Sequence, residues 1–439
     1  MQLNSVLPIN FPSQYFRNLL KSFLIIVPVL LGPAVSFSQV VYGCTDPLAN
    51  NYDPSANTNN GTCKYNITTY SPPLKIDPLS DTLIETSGLQ MAENYLWSFN
   101  DGGGQAVIYR IDTLTKYILQ TVKLSGATNV DWEDIAYDGK FFYIGDIGNN
   151  VNGARTNLAI YKVPLSAIPD HLTEPVVTIP APSIGVIRFT YSNQPQPPVP
   201  AGAPNATKFD CEAMIVDGGQ IHLFTKNWVN LNTVHYLIPD TAAGTYIASP
   251  VDTLDTKYLV TGADRAPNRK VVALLGYQNA GTANHFMHLL SEYSGGKYFN
   301  GNVRRLDLPD VLTMGQAEGI GFRSGTYGYI SNEKFVRYIG PTPIITVTQK
   351  LRSFDISGLI SGSGLVYEFI GDGKWDDPTN WSNNLVPPAG MPGGSEIIVA
   401  PATTGKCVLN IPYTVGPGCT LTVNPGKQFE VQGNLSIQD

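Results

Sequence analysis

Short apolar runs separated by turn residues fill the chain from about residue 75 to residue 357. They are rich in β-branched and aromatic residues and are bounded by Gly, Asn, Asp and Pro, which is typical of β-strands. Amphipathic periodicity over three helical turns is absent there. The pattern predicts an all-β fold with strands at 105–111, 141–144, 158–163, 186–191, 221–225, 270–275 and 327–330.

An acidic motif recurs among these strands. Glu133, Glu212 and Glu318 each lie two residues after a polar residue and two before an apolar one. Glu85 opens a looser copy, and Asp264 is the candidate for a further one. The starts at 85, 133, 212, 264 and 318 are about 50 residues apart, except across the Pro-rich loop 195–204. Such a period, with several strands per unit, is typical of a β-propeller. The length from 75 to 357 predicts five to seven blades, and we favour about six.

Strand geometry brings the acidic residues of successive blades together. Side chains alternate along a strand, so Asp131 and Glu133 share a face, as do Asp210 and Glu212. If each motif opens an innermost strand, these side chains converge at the mouth of the axial channel. The predicted ring of carboxylates consists of Glu85, Asp131, Glu133, Asp146, Asp210, Glu212, Asp264 and Glu318.

Converging carboxylates repel one another unless a cation, protonation or hydrogen bonds offset their charge. A calcium ion would do so with hard oxygen ligands. The candidate ligands in the ring are Glu133, Asp146, Glu212 and Glu318. The alternative is that each Glu accepts hydrogen bonds from backbone N–H groups of a neighbouring blade. Lys226 follows one inner strand and could neutralise part of the charge.

The first 38 residues have the features of an export signal. Arg17 and Lys21 precede an apolar run at 23–31 and a stretch of small residues, with no acidic residue. This predicts a signal peptide over 1–38 and a secreted or cell-surface protein. The alternative, a membrane anchor, is disfavoured because the run is short and contains Pro28. No later segment reaches transmembrane length.

The charge balance argues against nucleic acid as a partner. The chain of 439 residues has 28 Lys+Arg and 35 Asp+Glu, a formal charge of −7, and only 14% charged residues. Nucleic acid requires clustered basic residues. The expected partner is an unidentified ligand or protein.

Five cysteines occur in the chain. The short spacings predict the disulfides Cys44–Cys63 and Cys407–Cys419, which an exported protein can hold. Cys211 is left over in an apolar stretch and is predicted to be a buried free thiol. Neither a CxxC motif nor a Cys/His cluster indicates zinc.

Residues 43–65 resemble a cysteine-bracketed repeat of secreted bacterial proteins, with the pattern GCTDPxAxNYxPxAxxDDGSCxY. This predicts a small disulfide loop module over 39–70. Asp46 and Asp53 could bind calcium, although Asn59 and Asn60 stand where the repeat has two Asp. The alternative is that these side chains only form turns with the backbone.

The segments 132–135, 143–149, 186–191, 210–217 and 221–226 resemble a family of exported bacterial β-propellers, most without an assigned activity. The Glu-containing repeat is also similar to that of calcium-dependent phytase propellers and of lactonase propellers of the senescence marker protein type. The resemblance implies a propeller over 75–357. It does not imply one activity, because folds host many chemistries.

A different module is predicted at the carboxyl end. Trp375 and Trp381 bracket Asp and Asn residues, and Pro387 and Pro388 follow before short alternating stretches. This resembles the W…D…NW…P repeats of bacterial surface proteins, which lead into a small β-solenoid or β-sandwich. The predicted module spans 371–439, after a Gly- and Ser-rich linker at 358–370.

Two functions fit these patterns. The first is an exported, non-catalytic binding or interaction protein that uses the central face of the propeller. The alternative is a calcium-dependent hydrolase of phosphoesters or lactones. G-x-S-x-G, P-loop and H-E-x-x-H motifs are absent from the sequence. Phytase-like chemistry would need basic residues beside the acids, and Lys226, Lys334 and Arg337 are the candidates.

Overall fold

The computed structural model describes residues 39–278, 284–361, 364–382, 385–391, 393–401 and 404–438. The predicted signal peptide, 1–38, lies outside the described residues. Residues from Val41 onward form one compact unit.

Five blades surround a central axis, and we number them 1 to 5 in chain order. The outer strands of blades 2 and 3 pair in parallel, so these two blades form one continuous eight-stranded sheet. Each innermost strand packs against the next, and the fifth packs against the first, so the ring closes. The innermost strands are Thr86–Ala92, Trp132–Tyr137, Cys211–Asp217, Leu259–Arg265 and Gln316–Phe322. The described residues therefore form a β-propeller with five blades, inside the predicted range and one fewer than the six we favoured. Part of the length that suggested a sixth blade lies in the irregular Pro-rich loop between blades 2 and 3.

Within each blade, neighbouring strands run antiparallel from the axis outwards, apart from a few parallel pairs at the outer edges. Blade 1 adds Tyr95–Asn100, Val107–Ile111, Ile118–Leu124 and Val176–Ile179. Blade 2 adds Phe141–Asp146, Ala159–Pro164 and Gly185–Tyr191, and blade 3 adds Gln220–Thr225, Thr233–Ile238 and Gly244–Leu254. Blade 4 adds Val271–Tyr277, Asn284–Ser291 and Asn302–Asp310, and blade 5 adds Tyr327–Glu333 and Lys350–Asp355.

Residues before the first blade complete the last two blades. Leu74–Ile76 pairs antiparallel with Lys350–Asp355 and forms the outer strand of blade 5. Thr68–Thr69 pairs parallel with Asn302–Asp310 at the edge of blade 4. The two ends of the propeller segment are therefore joined by backbone hydrogen bonds.

Large apolar side chains fill the spaces between blades. Trp132 and Cys211 are fully buried, as expected for side chains that face away from the channel. Trp132 packs edge-on against Phe99 of blade 1, and Cys211 belongs to the core cluster shared by blades 2 and 3. Cys211 is a free buried thiol, as predicted.

The amino-terminal module is a turn-rich loop held by the predicted Cys44–Cys63 disulfide. Its two short strands, Tyr42–Gly43 and Thr58–Asn59, pair in parallel. Asn59 Nδ2 donates to Asn302 Oδ1 at 2.8 Å, which fixes the loop on the outer edge of blade 4.

The carboxyl-terminal module is a β-solenoid, one of the two predicted forms. Three parallel sheets line it. They consist of Val366–Phe369 with Glu396–Val399 and Thr420–Val423, Gly373–Lys374 with Lys406–Leu409 and Gln428–Val431, and Tyr413–Val415 with Leu435–Ile437. Trp375 and Trp381 are buried in its core. Its first strand falls inside the range 358–370 that the sequence predicts as a linker.

The second predicted disulfide is not formed. Cys407 is a buried free thiol on one sheet of the solenoid, whereas Cys419 precedes a strand of a different sheet. The Cys419 sulfur lies 3.6 Å from the carbonyl oxygen of Met391. A spacing of twelve residues along a solenoid leads to another side of the coil rather than back to a partner.

The remaining elements are short. The strands Phe335–Ile339 and Thr342–Val347 form a hairpin inserted in blade 5. The helical turns are Asp81–Leu83, Leu165–Ala167, Ala181–Ser183, Tyr298–Asn300, Val311–Met314 and Pro378–Asn380. No helix in the described part of the chain is long and apolar enough to cross a membrane.

Candidate metal site at the propeller mouth

Each innermost strand carries a β-bulge near its start. Against its neighbour it has one extra residue, which is Glu133 in blade 2, Glu212 in blade 3, Thr261 in blade 4 and Glu318 in blade 5. The equivalent shift in blade 1 spans Ser87 and Gly88. A bulge redirects a side chain out of the regular ladder. The recurrent Glu of the sequence motif is thus the bulge residue, and we call this end of the channel the mouth.

The two positions without Glu close the ring through backbone contacts. Ser87 Oγ donates to the Glu133 carbonyl oxygen at 2.7 Å, and Thr261 Oγ1 donates to the Ala317 carbonyl oxygen at 2.9 Å. Both hydrogen bonds run from one blade to the next. The three Glu side chains are therefore left to meet in the channel.

Three carboxylates form the closest acidic group at the mouth. Oxygen atoms of Asp101, Asp131 and Glu133 lie within 4.8 Å of one another, and we call these residues the mouth cluster. Among the described residues, no other three His, Cys, Asp or Glu side chains approach one another so closely. Asp101 follows the second strand of blade 1, and the other two begin blade 2.

Glu133 is the least satisfied member of the mouth cluster. The residue is only 5% exposed, and no described residue donates a hydrogen bond to its carboxylate. Burial raises the pKa of Glu133 well above its ordinary value, and Glu212, Asp101 and Asp131 raise it further. A buried carboxylate without a donor must hold a proton or meet water or a cation.

The other members are perturbed in the same direction. Burial raises the pKa of Asp131 to about 7, with further contributions from Asp101 and Asp210. Burial also raises the pKa of Asp101. Across the channel, burial raises the pKa of Glu318 to about 7, although Lys226 opposes the change. The mouth therefore gathers carboxyl groups that are poorly solvated as anions.

Lys226 is already engaged within the mouth. Its Nζ forms a buried ion pair with Glu212 and donates to Tyr277 Oη at 3.2 Å. Burial alone would lower the pKa of Lys226, but Glu212 beside it raises that pKa above its ordinary value. Lys226 therefore neutralises Glu212 rather than the mouth cluster, as the sequence suggested it could do in part.

Asp146 and Asp210 lie in the wall of the mouth, and their carboxylates stabilise it through hydrogen bonds. Asp146 pairs with Arg155 at 2.6 Å and accepts a hydrogen bond from the Asp131 amide at 3.1 Å. Asp210 accepts from the Asn149 amide at 2.6 Å and from Trp228 Nε1 at 2.7 Å. Both carboxylates are committed to protein donors. Of the four predicted calcium ligands, Glu133 alone belongs to the mouth cluster.

Glycine provides the space in front of the cluster. A methyl group built on Gly148 would overlap Glu133 Oε1 and lie 2.5 Å from Asp131 Oδ2. A methyl group on Gly102 would lie 2.8 Å from Asp131 Oδ1. Arg155 Nη1 donates to the Gly148 carbonyl oxygen at 2.6 Å and so fixes that loop against the carboxylates.

Asp264 does not belong to the mouth, contrary to the prediction. It lies near the end of the innermost strand of blade 4, and its Oδ2 accepts from the Phe322 amide at 2.6 Å. The bulge position of blade 4 is occupied by Thr261, so spacing along the chain pointed to the wrong residue. Glu85, at the start of blade 1, is an exposed residue beside the mouth.

The sequence motif did not identify several mouth residues, because they lie at or just after the end of the second strand of a blade and the motif lies on the innermost strand. Asp101 and Glu333 occupy these positions in blades 1 and 5, and Tyr277 does so in blade 4. The small polar residues that follow each second strand were the available signal. Burial raises the pKa of Glu333, and Glu318 adds to this effect.

Asp134 forms the hydrogen bonds between blades that the sequence analysis considered for the Glu residues. Its Oδ2 accepts from the Met214 amide at 2.7 Å and from the Ala263 amide at 3.4 Å. These contacts join blade 2 to blades 3 and 4 across the channel. The inter-blade hydrogen bonds that the alternative assigned to the Glu residues are made here by the neighbouring Asp134.

The amino-terminal loop uses its oxygens within the protein. Asp46 Oδ2 accepts from Tyr65 Oη at 2.6 Å, and Asp53 Oδ1 accepts from the Ser55 amide at 2.9 Å. Asn60 Oδ1 accepts from Thr62 Oγ1 at 2.6 Å. These contacts fit the turn-forming alternative for this loop.

Comparisons with known proteins find distant likenesses only. No family model matches the chain, and no curated protein matches it. Hydrazine synthase of Kuenenia stuttgartiensis is 12% identical, covering 67% of this chain and 73% of that chain, with a TM-score of 0.30. The PQQ-bound aldose sugar dehydrogenase of Streptomyces coelicolor is 11% identical, with coverages of 64% and 99% and a TM-score of 0.35. A GH43 β-1,3-galactosidase solved with galactodeoxynojirimycin is 12% identical, with coverages of 62% and 97% and a TM-score of 0.34. At these scores the assignment of the fold rests on the pairing and packing of the strands.

Proposed function

We propose that this chain is an extracytoplasmic binding protein that recognises its ligand through a divalent cation held at the propeller mouth. The observation that carries the proposal is the convergence of the Asp101, Asp131 and Glu133 carboxylates, since no described residue donates a hydrogen bond to Glu133. Hard carboxylate oxygens favour calcium, which tolerates irregular coordination by six to eight oxygens. The Cys44–Cys63 disulfide fits an oxidising compartment.

The bound cation would offer its remaining coordination positions to the ligand. Asp101, Asp131 and Glu133 would hold it, and Gly148 leaves the approach free. An oxygen-rich or anionic group of the ligand could then complete the coordination shell.

Calorimetric titration with calcium of the chain from residue 39 onward tests the proposal. We expect binding in the range of extracellular sites, tighter than about 1 mM. Glu133→Gln should weaken it at least tenfold, because a ligand is lost, while the metal-free variant should be at least as stable as the parent. Glu174→Gln is the matched control, since Glu174 is exposed on the outer side of the propeller. Absence of binding at about 10 mM calcium would remove the proposal.

A calcium-dependent hydrolase is the second candidate. Asp131 and Glu318 have pKa values raised to about 7, which suits proton transfer near neutral pH. A cation in the mouth could hold a phosphate or polarise a lactone carbonyl. Calcium-dependent hydrolysis of p-nitrophenyl phosphate or dihydrocoumarin, lost in Glu133→Gln, would favour this candidate. Calcium binding with no turnover of either compound would favour the binding protein.

A further inference from the structure

A second cavity lies at the end of the propeller opposite the mouth. It has a volume of about 1000 Å³, in the size range of small-molecule sites. In every blade the segment where the innermost strand turns into the second strand lines it. The carboxyl-terminal solenoid lines the other side through residues that include Tyr367 and Glu368. We call this space the lower cavity.

Polar contacts hold the solenoid over this end of the propeller. Lys140 Nζ donates to the Ile370 carbonyl oxygen at 2.8 Å, and Lys270 pairs with Glu396 at 2.8 Å. A methyl group on Gly139 would overlap the Ser382 carbonyl oxygen. The lower cavity is therefore bounded by two modules that are in direct contact.

Two charged groups of the cavity wall have incomplete hydrogen bonding. Glu368 is 9% exposed, and no described residue donates to its carboxylate. Arg265 Nε has no hydrogen-bond partner, although it lies 3.3 Å from Asp217 Oδ1. A carboxylate that accepts no hydrogen bond from the described residues and a guanidinium nitrogen held only by its ion pair with Asp217 thus line the same space.

The charge of the wall does not favour a ligand of strong net charge. Six acidic and six basic residues line the cavity, so its formal charge is balanced. The balance is also local, because Arg265 faces Asp217, and both lie near Glu368. A ligand that both donates and accepts hydrogen bonds without net charge matches this wall. Sugar hydroxyl groups have that property, and the half-buried rings of Tyr137 and Phe141 add apolar surface to the wall.

We propose that the lower cavity binds a neutral oligosaccharide between the propeller and the solenoid. Hydroxyl groups of the sugar donate to the Glu368 carboxylate and accept from Arg265. The site is independent of the mouth cluster, and it gives the solenoid a role as one wall of a binding site. The volume has room for about two or three sugar rings.

Calorimetry on the chain from residue 39 onward, supported by saturation-transfer NMR, tests the proposal. The probes are cellotriose, xylotriose, maltotriose and diacetylchitobiose, with zwitterionic triglycine and inorganic phosphate as controls of other chemistry. We expect at least one neutral sugar to bind and Glu368→Gln to weaken that binding about tenfold, the loss typical of a hydrogen bond to a charged group. Glu430→Gln, on the exposed side of the solenoid, is the matched control and should bind like the parent.

A second variant guards against loss of folding in the first. Arg265→Lys keeps the charge facing Asp217 but removes the guanidinium Nε, and it should also weaken sugar binding about tenfold. Glu133→Gln should leave sugar binding unchanged, so failure at the mouth and failure at the lower cavity are distinguishable. Binding of triglycine or phosphate alone, binding of no sugar, or equal sugar affinity in the parent, Glu368→Gln and Arg265→Lys would each overturn the proposal.

Discussion

At the scale of single residues, the mouth depends on what is missing as much as on what is present. Gly148 lacks the Cβ atom that would overlap Glu133 Oε1. The Glu133 and Asp131 carboxylates therefore pack against Gly148 in a space that a side chain at position 148 would reduce. The proposed cation site therefore requires Gly148 as much as it requires the acidic residues.

Gly148→Ala should weaken calcium binding at least tenfold without removing a ligand, because the added methyl group displaces Glu133 and Asp131. Gly104→Ala is the matched control, since a methyl group there makes only ordinary contacts, with Asn129 Nδ2 at 3.9 Å and the Asp101 carbonyl oxygen at 4.0 Å. Calcium titration of both variants measures the effect. Parent-like affinity in Gly148→Ala would show that the cation does not occupy the space between these carboxylates.

The sequence predicts only some of the residues that form the mouth. Glu133, Glu212 and Glu318 were recognisable because their motif repeats, and the structure brings all three to the mouth. Asp264 was misplaced because the bulge position of blade 4 carries Thr261, which leaves no acidic signal. Asp101 reaches the site through contacts with distant positions that the motif does not reveal: its amide donates to the Glu85 carbonyl oxygen, and Asn129 Nδ2 donates to the Asp101 carbonyl oxygen at 3.1 Å.

At the scale of elements, one side chain links three blades. Asp134 accepts from backbone amides of blades 3 and 4 as well as from the Ile135 amide beside it. Burial raises its pKa well above the ordinary value in spite of these donors. The blades are thus tied at the axis by a carboxyl group rather than by packing alone.

Asp134→Asn should lower the free energy of unfolding by about 2 kcal/mol, because the amide nitrogen must face backbone N–H groups. Urea unfolding followed by tryptophan fluorescence measures the change. Asp255→Asn is the control, since Asp255 lies in an exposed ion pair and should change stability by less than about 0.5 kcal/mol. Equal midpoints for the two variants would contradict the assigned role of Asp134.

Element types were predictable, whereas their partners were not. The alternation of apolar and polar residues gave the strands, and the repeat gave the propeller. The spacing could not show that Leu74–Ile76 belongs to the last blade or that a solenoid sheet separates Cys407 from Cys419. Those facts depend on contacts between distant parts of the chain.

At the scale of the whole molecule, buried histidines make stability depend on pH. Burial lowers the pKa of His285 to about 4 and that of His288 to about 3. His288 Nδ1 is 2.8 Å from Tyr258 Oη, and Arg305 opposes protonation further. Both rings are therefore neutral in the fold under mild conditions.

The contribution of these two histidines to the free energy of unfolding should fall as the pH drops below about 6.5, the ordinary histidine pKa, whereas the carboxyl groups with raised pKa values contribute in the opposite sense. The unfolded chain binds these protons first, so the contribution is complete above that pH and is lost as the pH falls towards 4 and 3. Urea midpoints measured from pH 7.5 to 4.5 test this. Relative to the parent, His288→Gln should become more stable as the pH falls over the same interval, because the variant lacks the loss that His288 causes. Parallel curves for the parent and the variant would exclude a contribution from His288.

The pairing of Leu74–Ile76 with Lys350–Asp355 has a consequence for synthesis. A polypeptide is made from its amino end, so this short strand waits for a partner that arrives roughly 270 residues later. Until then the strand Leu74–Ile76 is an unpaired β-edge, to which a second molecule or a chaperone can bind. Closure of the ring of blades is therefore among the last steps of folding. Shortening either end of the propeller segment would leave the outer strand of blade 5 without its partner.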